Sequence, residues 1–263
     1  MKNSYNNRDF EDDWFRWFTD KAEGEKAISD FTKLIELNPN EALYYIKRGL
    51  AYSANSKYGK ATADFSRAIK LNPHDTIGYY KRGWASVGEG KYDRAIADFT
   101  KVIELNPGDA DTYQSRGFAY FCKHDHDKAI TDYTKPIELN PNDAGAYQKR
   151  GFAYLEIGEN DKAIADYTKP IELNPGDTEA YMYRGFAYSL IREHDKAIAD
   201  YNKAIELGYD YAYLFRGEEQ ATKGENHKAI ADYEKVLNLF PDDPGLIEDA
   251  TKAIRELDGK SVQ

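Results

Sequence analysis

The chain repeats its residue pattern every 34 residues. Asn-Pro dipeptides fall at that step five times, and columns of alanine and of aromatic residues keep the same step. A period of this length arises when one small unit is stacked many times, so it predicts a repeat architecture rather than one compact core. The last interval is 32 residues, because the connector around Gly208 and Tyr209 is two residues shorter. The alanine column marks seven repeats, at Ala27, Ala61, Ala95, Ala129, Ala163, Ala197 and Ala229.

Each repeat is predicted to be a pair of amphipathic helices. In the second repeat Tyr45, Gly49 and Tyr52 are spaced at i, i+4 and i+7, and the same spacing begins again at Ala61 and Phe65 after a short break. Residues with this spacing share one face of an α-helix. An aspartate two residues beyond a proline is a favourable N-cap for the helix that follows. Such aspartates stand at Asp75, Asp109, Asp143, Asp177 and Asp243.

These columns resemble those of the tetratricopeptide repeat family. That family has a large aromatic residue at position 4 of the repeat, Gly or Ala at 8, Tyr at 11, Ala at 20 and 27, an aromatic residue at 24 and Pro at 32. The resemblance extends over roughly residues 8–241. It implies an all-α fold, a right-handed α-solenoid superhelix of about seven helix pairs with a C-terminal capping helix. The matching residues of the second repeat are Tyr45, Gly49, Tyr52, Ala61, Phe65, Ala68 and Pro73.

A single solenoid is expected over residues 1–263, since stacked repeats need no common centre. Near its C-terminal end, Asp243 is predicted to cap a closing helix, with Pro244 at a tolerated first-turn position. The expected segments are an N-terminal tail at 1–7, an atypical first repeat at 8–41, five regular repeats at 42–209, a last repeat with the shortened connector at 210–241, the capping helix at 243–257 and a tail at 258–263.

Composition narrows the classes of partner. The formal net charge of −10 argues against binding to nucleic acid and against adsorption to anionic membranes. Cys122 is the only cysteine, which excludes an intramolecular disulfide. The N-terminal residues do not resemble a signal peptide, and no apolar run approaches membrane-spanning length. The sequence therefore favours a cytoplasmic protein without membrane insertion.

Motifs for chemistry are sparse. The sequence has no Gly-rich phosphate loop and no nucleophile motif, so we expect neither enzymatic activity nor a cofactor. Cys122, His124 and His126 are close in sequence, but they fall at a helix end and in the turn that follows it. A closed zinc site would also need further ligands. We therefore expect no metal site.

Two columns depart from the family pattern. Position 7 is Arg in six repeats, where the family usually has an aliphatic residue, and position 23 is Asp in all seven, as at Arg48 and Asp64. If the two columns face each other, they form a ladder of bidentate Arg–carboxylate pairs. Alternatively, each Arg lies along the surface over its own aliphatic stem while the Asp occupies a solvent-facing side of the second helix.

Two prolines are also unusual. Pro136 and Pro170 stand at position 27, inside the predicted second helices of two successive repeats, where proline costs about 3 kcal/mol in an ideal helix. One interpretation is a kink that changes the curvature of the superhelix locally. The other is that a duplication copied one tolerated defect, because residues 132–141 and 166–175 are nearly identical.

A partner-binding groove is predicted on the first helices. In the family these helices line a concave face that binds peptides or helices of partner proteins. Position 9 is apolar in five repeats, which favours a groove for apolar side chains, with Gln114 and Gln148 available for the peptide backbone. Alternatively, these side chains only pack adjacent first helices together. The predicted peptide-binding residues are Ile46, Leu50, Tyr80, Trp84, Gln114, Phe118, Phe121, Gln148, Phe152, Leu155, Met182 and Phe186.

The first repeat is rich in aromatic residues. Trp14, Trp17 and Phe18 are among them, and they are predicted to form a contact patch for a partner or a second copy. Two functions remain open. The first is a non-enzymatic adaptor that binds a peptide or helix of a partner protein. The alternative is a self-assembling scaffold, a homo-oligomer held together through its terminal repeats.

Overall fold

The computed structural model describes residues 21–260, and the surroundings of side chains from residue 23 to residue 257. Every regular element in this range is an α-helix, and helix pairs of similar length follow one another along the chain. The expected all-α fold of tandem helix pairs is therefore confirmed. The chain divides after Lys135 into two compact units, called here the N-terminal unit and the C-terminal unit.

The helices are named in chain order. In the N-terminal unit they are α1 (Lys21–Leu37), α2 (Ala42–Ala54), α3 (Tyr58–Leu71), α4 (Thr76–Gly88), α5 (Tyr92–Leu105), α6 (Ala110–Cys122) and most of α7 (His126–Leu139). In the C-terminal unit they are α8 (Ala144–Glu156), α9 (Asn160–Leu173), α10 (Thr178–Leu190), α11 (His194–Glu206), α12 (Ala212–Thr222), α13 (Asn226–Leu239) and α14 (Pro244–Lys260). Within residues 21–260, no helix combines the length and the apolar character needed to cross a lipid bilayer.

Helices pack in the order of the chain. In the N-terminal unit α1 to α6 pack successively, and in the C-terminal unit α8 to α14 do the same. The first helices of adjacent repeats also touch one another, α2 with α4, α4 with α6, and α8 with α10. A surface made of first helices is therefore continuous within each unit, and it is the surface on which the groove residues were predicted.

Small residues allow this close packing. A Cβ atom added to Gly83 would lie 2.6 Å from the ring of Phe99, nearer than any side chain tolerates. Phe99 itself is fully buried on α5, beside the fully buried Ala95. Glycine on the first helix thus leaves room for the aromatic ring of the second, and the repeating Gly, Ala and aromatic columns form the core.

Aspartates cap the first helices as predicted. The carboxylate of each accepts a hydrogen bond from a backbone N–H two or three residues later, at 3.0–3.4 Å. Each such bond satisfies one of the backbone donors that the first turn of a helix leaves unpaired. The capping residues are Asp75, Asp109, Asp143, Asp177 and Asp243.

The arginine and aspartate columns do form a ladder. In each pair the arginine Nε and one terminal nitrogen donate to the two carboxylate oxygens of the aspartate 16 residues later, at 2.6–2.8 Å. The aspartates are only 4–6% exposed, so the alternative of a solvent-facing aspartate is wrong. The pairs are Arg48–Asp64, Arg82–Asp98, Arg116–Asp132, Arg150–Asp166, Arg184–Asp200 and Arg216–Asp232.

Arginines of the ladder also donate to the second helix of the preceding repeat, as Arg48, Arg82, Arg116, Arg184 and Arg216 do. The remaining terminal nitrogen of Arg82 donates to the hydroxyl of Ser66, at 3.0 Å, on the second helix of the preceding repeat. Arg184 does the same with Thr168 at 3.2 Å. The hydrogen bond to Asp200 raises the pKa of Arg184 above its ordinary value, despite the opposing effect of burial. One guanidinium thus joins the helices of its own repeat and ties that repeat to the one before.

The helices run through both unusual prolines. α7 and α9 are each 14 residues long, the same length as the proline-free α5. The backbone N–H of Asn174 donates to the carbonyl of Pro170 at 2.8 Å, so the turn after the proline is intact. Pro136 and Pro170 are both fully buried. A change in how successive repeats stack stays a prediction.

Breaking one rung of the ladder should destabilise the C-terminal unit. Arg184→Met leaves the carboxylate of Asp200 buried without its cation, and we expect a loss of about 3 kcal/mol in the free energy of unfolding. The double variant Arg184→Met with Asp200→Leu should recover part of this loss, because no charge is then stranded. Urea denaturation followed by circular dichroism measures both. Lys128→Met, which removes an exposed pair with Asp125, is the control and should leave the midpoint unchanged. Equal losses in the single and double variants would contradict the coupling.

We expect the prolines to lower the stability of the fold rather than to be required for it. Pro170→Ala returns a backbone N–H that can donate to the carbonyl of Asp166, and buried Ala204 shows that the position accepts alanine. We expect a gain of about 1 kcal/mol after the loss of ring packing. The reverse change, Ala204→Pro in α11, should lose about 3 kcal/mol. Thermal denaturation distinguishes the two, and a lower midpoint for Pro170→Ala would mean that the ring packing outweighs the hydrogen bond.

Candidate functional site

Aromatic rings are exposed along the first helices of the N-terminal unit. Trp84 on α4 and Phe118 on α6 are 38% and 39% exposed. Their ring centroids are 5.8 Å apart, and Trp84 also meets the buried ring of Phe99 edge to face at 5.9 Å. These side chains therefore combine packing with exposure, and their role in binding a partner stays a prediction. They pack between adjacent first helices, and they keep more than a third of their surface open.

The other predicted groove residues of this unit are less accessible. Ile46 is 6% exposed and belongs to the core, and Leu50 packs half-buried against the same cluster. Tyr80 is half-buried, its ring lies 5.7 Å from that of Phe99, and its hydroxyl accepts a hydrogen bond from Ser115 at 3.2 Å. Ile46 therefore offers almost no surface to a ligand.

The end of α6 and the turn after it contain the residues considered for a metal. His126 packs edge to face on Phe121, with centroids 5.0 Å apart. His124 occupies the left-handed turn with φ of 62°, and Cys122 is half-buried with its thiol pKa raised by burial. Among the described residues, no group of three or more His, Cys, Asp or Glu side chains is arranged to hold a metal ion. Gln114, also on α6, is half-buried.

The C-terminal unit presents a second set of rings. Phe152 on α8 is 37% exposed, and Phe186 and Tyr183 on α10 are 41% and 40% exposed. The centroids of Phe152 and Tyr183 are 5.7 Å apart, and Tyr183 stacks on buried Tyr167 at 5.4 Å. Leu155 is half-buried beside the core of the same repeat. Tyr183 thus rests on a buried ring and in turn contacts Phe152.

Gln148 has a structural partner. Its side-chain nitrogen lies 3.0 and 3.1 Å from the two carboxylate oxygens of Asp177, the residue that caps α10. In the structure the amide supports the N-terminus of the next first helix. The expected role of Gln148 toward a peptide backbone stays a prediction.

A cavity of about 260 Å³ lies between α10 and α12. Met182 is only 8% exposed and forms part of its wall, together with the predicted groove residue Phe186. The cavity is found where the connector is two residues short, and Gly208 adopts φ of 90° there, a conformation that glycine readily takes. The lining residues are Glu179, Met182, Tyr183, Phe186, Tyr209 and Phe215.

The ionisable side chains that line this cavity are tyrosines and a glutamate. Burial raises the pKa of the Tyr209 hydroxyl, and nearby Tyr183 and Glu179 raise it further. Of the described residues that line the cavity, Glu179 is the one with a charge and none is basic. The formal charge that these lining residues contribute is therefore the single negative charge of Glu179.

Four lining residues were missed by the sequence analysis. Glu179, Tyr183 and Phe215 stand at positions 2 and 6 of their repeats rather than at position 9, and Tyr209 is in the connector. The shortened connector was the feature of the sequence that could have indicated Tyr209, because it brings this residue beside the first helices. The predicted contact patch of Trp14, Trp17 and Phe18 lies outside the described residues.

A buried polar cluster joins the last two repeats. Glu219 is 6% exposed and replaces the alanine that every repeat from the second to the sixth has at this position. Ser189 donates to one of its carboxylate oxygens, and Nδ1 of His194 lies 2.6 Å from the other. The carboxylate stands between the hydroxyl and the imidazole. A hydrolytic triad instead places the imidazole in the middle, so this cluster is structural.

Models of known protein families match the same repeats. Models of the tetratricopeptide repeat match residues 46–110 and 149–212, residues 99–131 and residues 210–243, and a model of the TPR repeat matches residues 123–158. The comparison with curated protein sequences finds no match.

Solved structures provide further likenesses. The chain is similar to YrrB, described as a TPR protein with an unusual peptide-binding site, at 26% identity over 69% of this chain and 93% of YrrB, with a TM-score of 0.57. It is similar to MamA at 30% identity over 62% of this chain and 96% of MamA, with a TM-score of 0.58. The C-terminal part of a TPR repeat-containing protein from Cytophaga hutchinsonii shares the fold, at 22% identity over 92% and 98% of the two chains, with a TM-score of 0.74.

Proposed function

Because the chain belongs to the tetratricopeptide repeat family, we propose that it is a non-enzymatic adaptor that binds a peptide or helix of a partner protein on its first helices. Repeats of this family are protein-interaction modules. The single observation that carries the proposal is the exposure of the position 9 rings. Trp84, Phe118, Phe152 and Phe186 each keep 37–41% of their surface open in a fold whose core is already filled.

Exposed rings of this kind suit a binding surface. Aromatic side chains are enriched at the centres of protein interfaces, where covering one completely contributes about 2 kcal/mol. Trp84 packs on buried Phe99, and Phe118 and Phe152 pack on neighbouring rings, so a partner would lose little free energy in ordering these three side chains. The likeness to YrrB, which is described with a peptide-binding site, supports a peptide as the ligand.

The remaining expectations are part of the same proposal. An acidic chain with a net charge of −10 is a poor ligand for nucleic acid, and we propose none as a partner. A cytoplasmic location stays a prediction from cysteine usage.

Self-assembly is the second candidate, and one observation favours it. An open cleft of about 620 Å³ lies along α14 and the connector before it, with Pro241, Pro244 and Ile247 among its lining residues. Apolar side chains in an open cleft are a possible contact for a second copy of the chain. The predicted aromatic patch of the first repeat would be the other contact.

Two rings of the first-helix surface should be needed for binding. We expect Phe118→Asn with Phe152→Asn to weaken the binding of a peptide, selected on the wild-type chain from a random display library, by at least about tenfold. Both side chains are more than a third exposed, so the thermal midpoint should change little. Isothermal calorimetry and thermal denaturation measure the two effects.

The matched control replaces two equally exposed leucines on second helices. Leu139→Asn with Leu173→Asn removes side chains that are 48% and 39% exposed, and peptide affinity should be unchanged. A large loss of stability in the phenylalanine variant would instead mean that these rings mainly pack adjacent helices together.

The scaffold proposal predicts association that depends on concentration. The mass measured by light scattering should then rise over a dilution series, and Ile247→Lys should lower it by placing a charge in the cleft. Lys252→Gln, a change of a charged residue that lines the same cleft, should have a smaller effect. A monomer at every concentration would rule this candidate out.

A further inference from the structure

We propose that the cavity between α10 and α12 is a specificity pocket for a basic side chain, arginine or lysine, of the bound peptide. The inference rests on the proposed function, because it names the side chain that part of the first-helix surface recognises. Three features of the cavity support it, namely its aromatic walls, its charge and its size.

The walls are suited to a cation. Tyr183, Phe186, Tyr209 and Phe215 contribute aromatic rings from α10, the connector and α12. The faces of aromatic rings carry partial negative charge and attract ammonium and guanidinium groups. Phe215 is also held in place, because it stacks on buried Tyr201 with centroids 5.9 Å apart. The rings are therefore a fixed surface rather than one that a ligand must assemble.

The charge of the cavity is opposite to that of a basic side chain. Glu179 lines the cavity from the first turn of α10, and no basic residue stands among the lining residues that the structure describes. Glu218 follows Phe215 by three residues on α12, a spacing that places two side chains on the same side of a helix. It occupies the repeat position at which the preceding repeat has Phe186. Glu218 is exposed on α12 but does not line the cavity, where Glu179 supplies the negative charge.

The size indicates a single side chain. A volume of about 260 Å³ is below the range of about 300–1,000 Å³ that is typical of pockets for drug-sized ligands. Lysine and arginine combine an aliphatic stem with a charged end. The stem can lie against Met182 and Phe186 while the charged end meets Glu179. An acidic side chain would be repelled, and a purely apolar one would leave the carboxylate without a partner.

The connector that contributes to the pocket differs from the earlier Asn-Pro connectors. The connectors at 72–75, 106–109, 140–143 and 174–177 each begin with Asn-Pro and end with the capping aspartate. The connector before α12 lacks that pattern and supplies Tyr209 instead. A basic residue should therefore be recognised at one defined place along the peptide rather than at every repeat.

The test uses peptides selected from a random display library on the full chain. We expect the binders to carry a conserved arginine or lysine, and Glu179→Gln to weaken the best of them about fivefold to tenfold in calorimetry. A peptide in which citrulline replaces the arginine, or norleucine the lysine, should bind wild-type and Glu179→Gln chains equally. Glu172→Gln is the matched control, because it removes an equivalent exposed charge on α9, away from the cavity, and affinity should not change.

The outcomes of these experiments distinguish the pocket proposal from the adaptor proposal. If the selected peptides lose affinity in the Phe118→Asn, Phe152→Asn variant but are insensitive to Glu179→Gln and to loss of their basic residue, the pocket proposal is overturned and the adaptor proposal stands. If no selected peptide depends on any of these residues, both are overturned. Unchanged thermal midpoints for Glu179→Gln and Glu172→Gln ensure that affinity, and not folding, is compared.

Discussion

The pairing of one arginine with one buried aspartate in six of the seven repeats is the interaction on which the structure depends. The carboxylates are 4–6% exposed, and a charge at that depth is tolerated only with a close, hydrogen-bonded cation. The separation of 16 residues is the same in all six pairs, so the pairing sets the register of the two helices. Residues two apart on a helix point about 200° apart. The arginines at position 7 therefore lie on the side of the first helix opposite to position 9, the position proposed to meet a partner.

Much of the fold could be predicted because the same requirements for helix capping and side-chain packing recur in each repeat. Asp75 and its equivalents cap helices, and Gly83 makes room for Phe99, for reasons visible in spacing alone. The exposure of individual groove residues could not be predicted in this way. Ile46 and Tyr80 share a repeat position, yet one is buried and the other half-buried, because exposure depends on which side chains the neighbouring repeat supplies. Gln148 illustrates the same limit, since its partner Asp177 is 29 residues away.

The cavity between α10 and α12 shows how a shorter connector between two repeats changes the surface of the protein. Two residues fewer in the connector remove the Asn-Pro turn and the capping aspartate, and α12 begins without a side-chain cap. Tyr209 and Tyr211 take that space, with Tyr211 packed on Phe240 at 4.4 Å and Tyr209 lining the cavity. The shortening is plain in the sequence, but the direction in which the tyrosines turn depends on packing between residues far apart in the chain.

The last repeat also changes the chemistry of the first-helix surface. Position 9 is aromatic from Trp84 to Phe186, whereas α12 has Glu218 there and Glu219 in place of a core alanine. Burying Glu219 is tolerated because Ser189 and His194 of the preceding repeat satisfy both of its oxygens. This cluster ties α12 to α10 at one end of the junction, while the cavity opens nearer the start of α10. Position 9 of the first helices is thus aromatic on α8 and α10 and a carboxylate on α12, and Glu179 adds a second carboxylate at the start of α10. In the proposed binding mode, a peptide lying along these helices would meet both rings and carboxylates, which favours a ligand that combines apolar residues with a basic one.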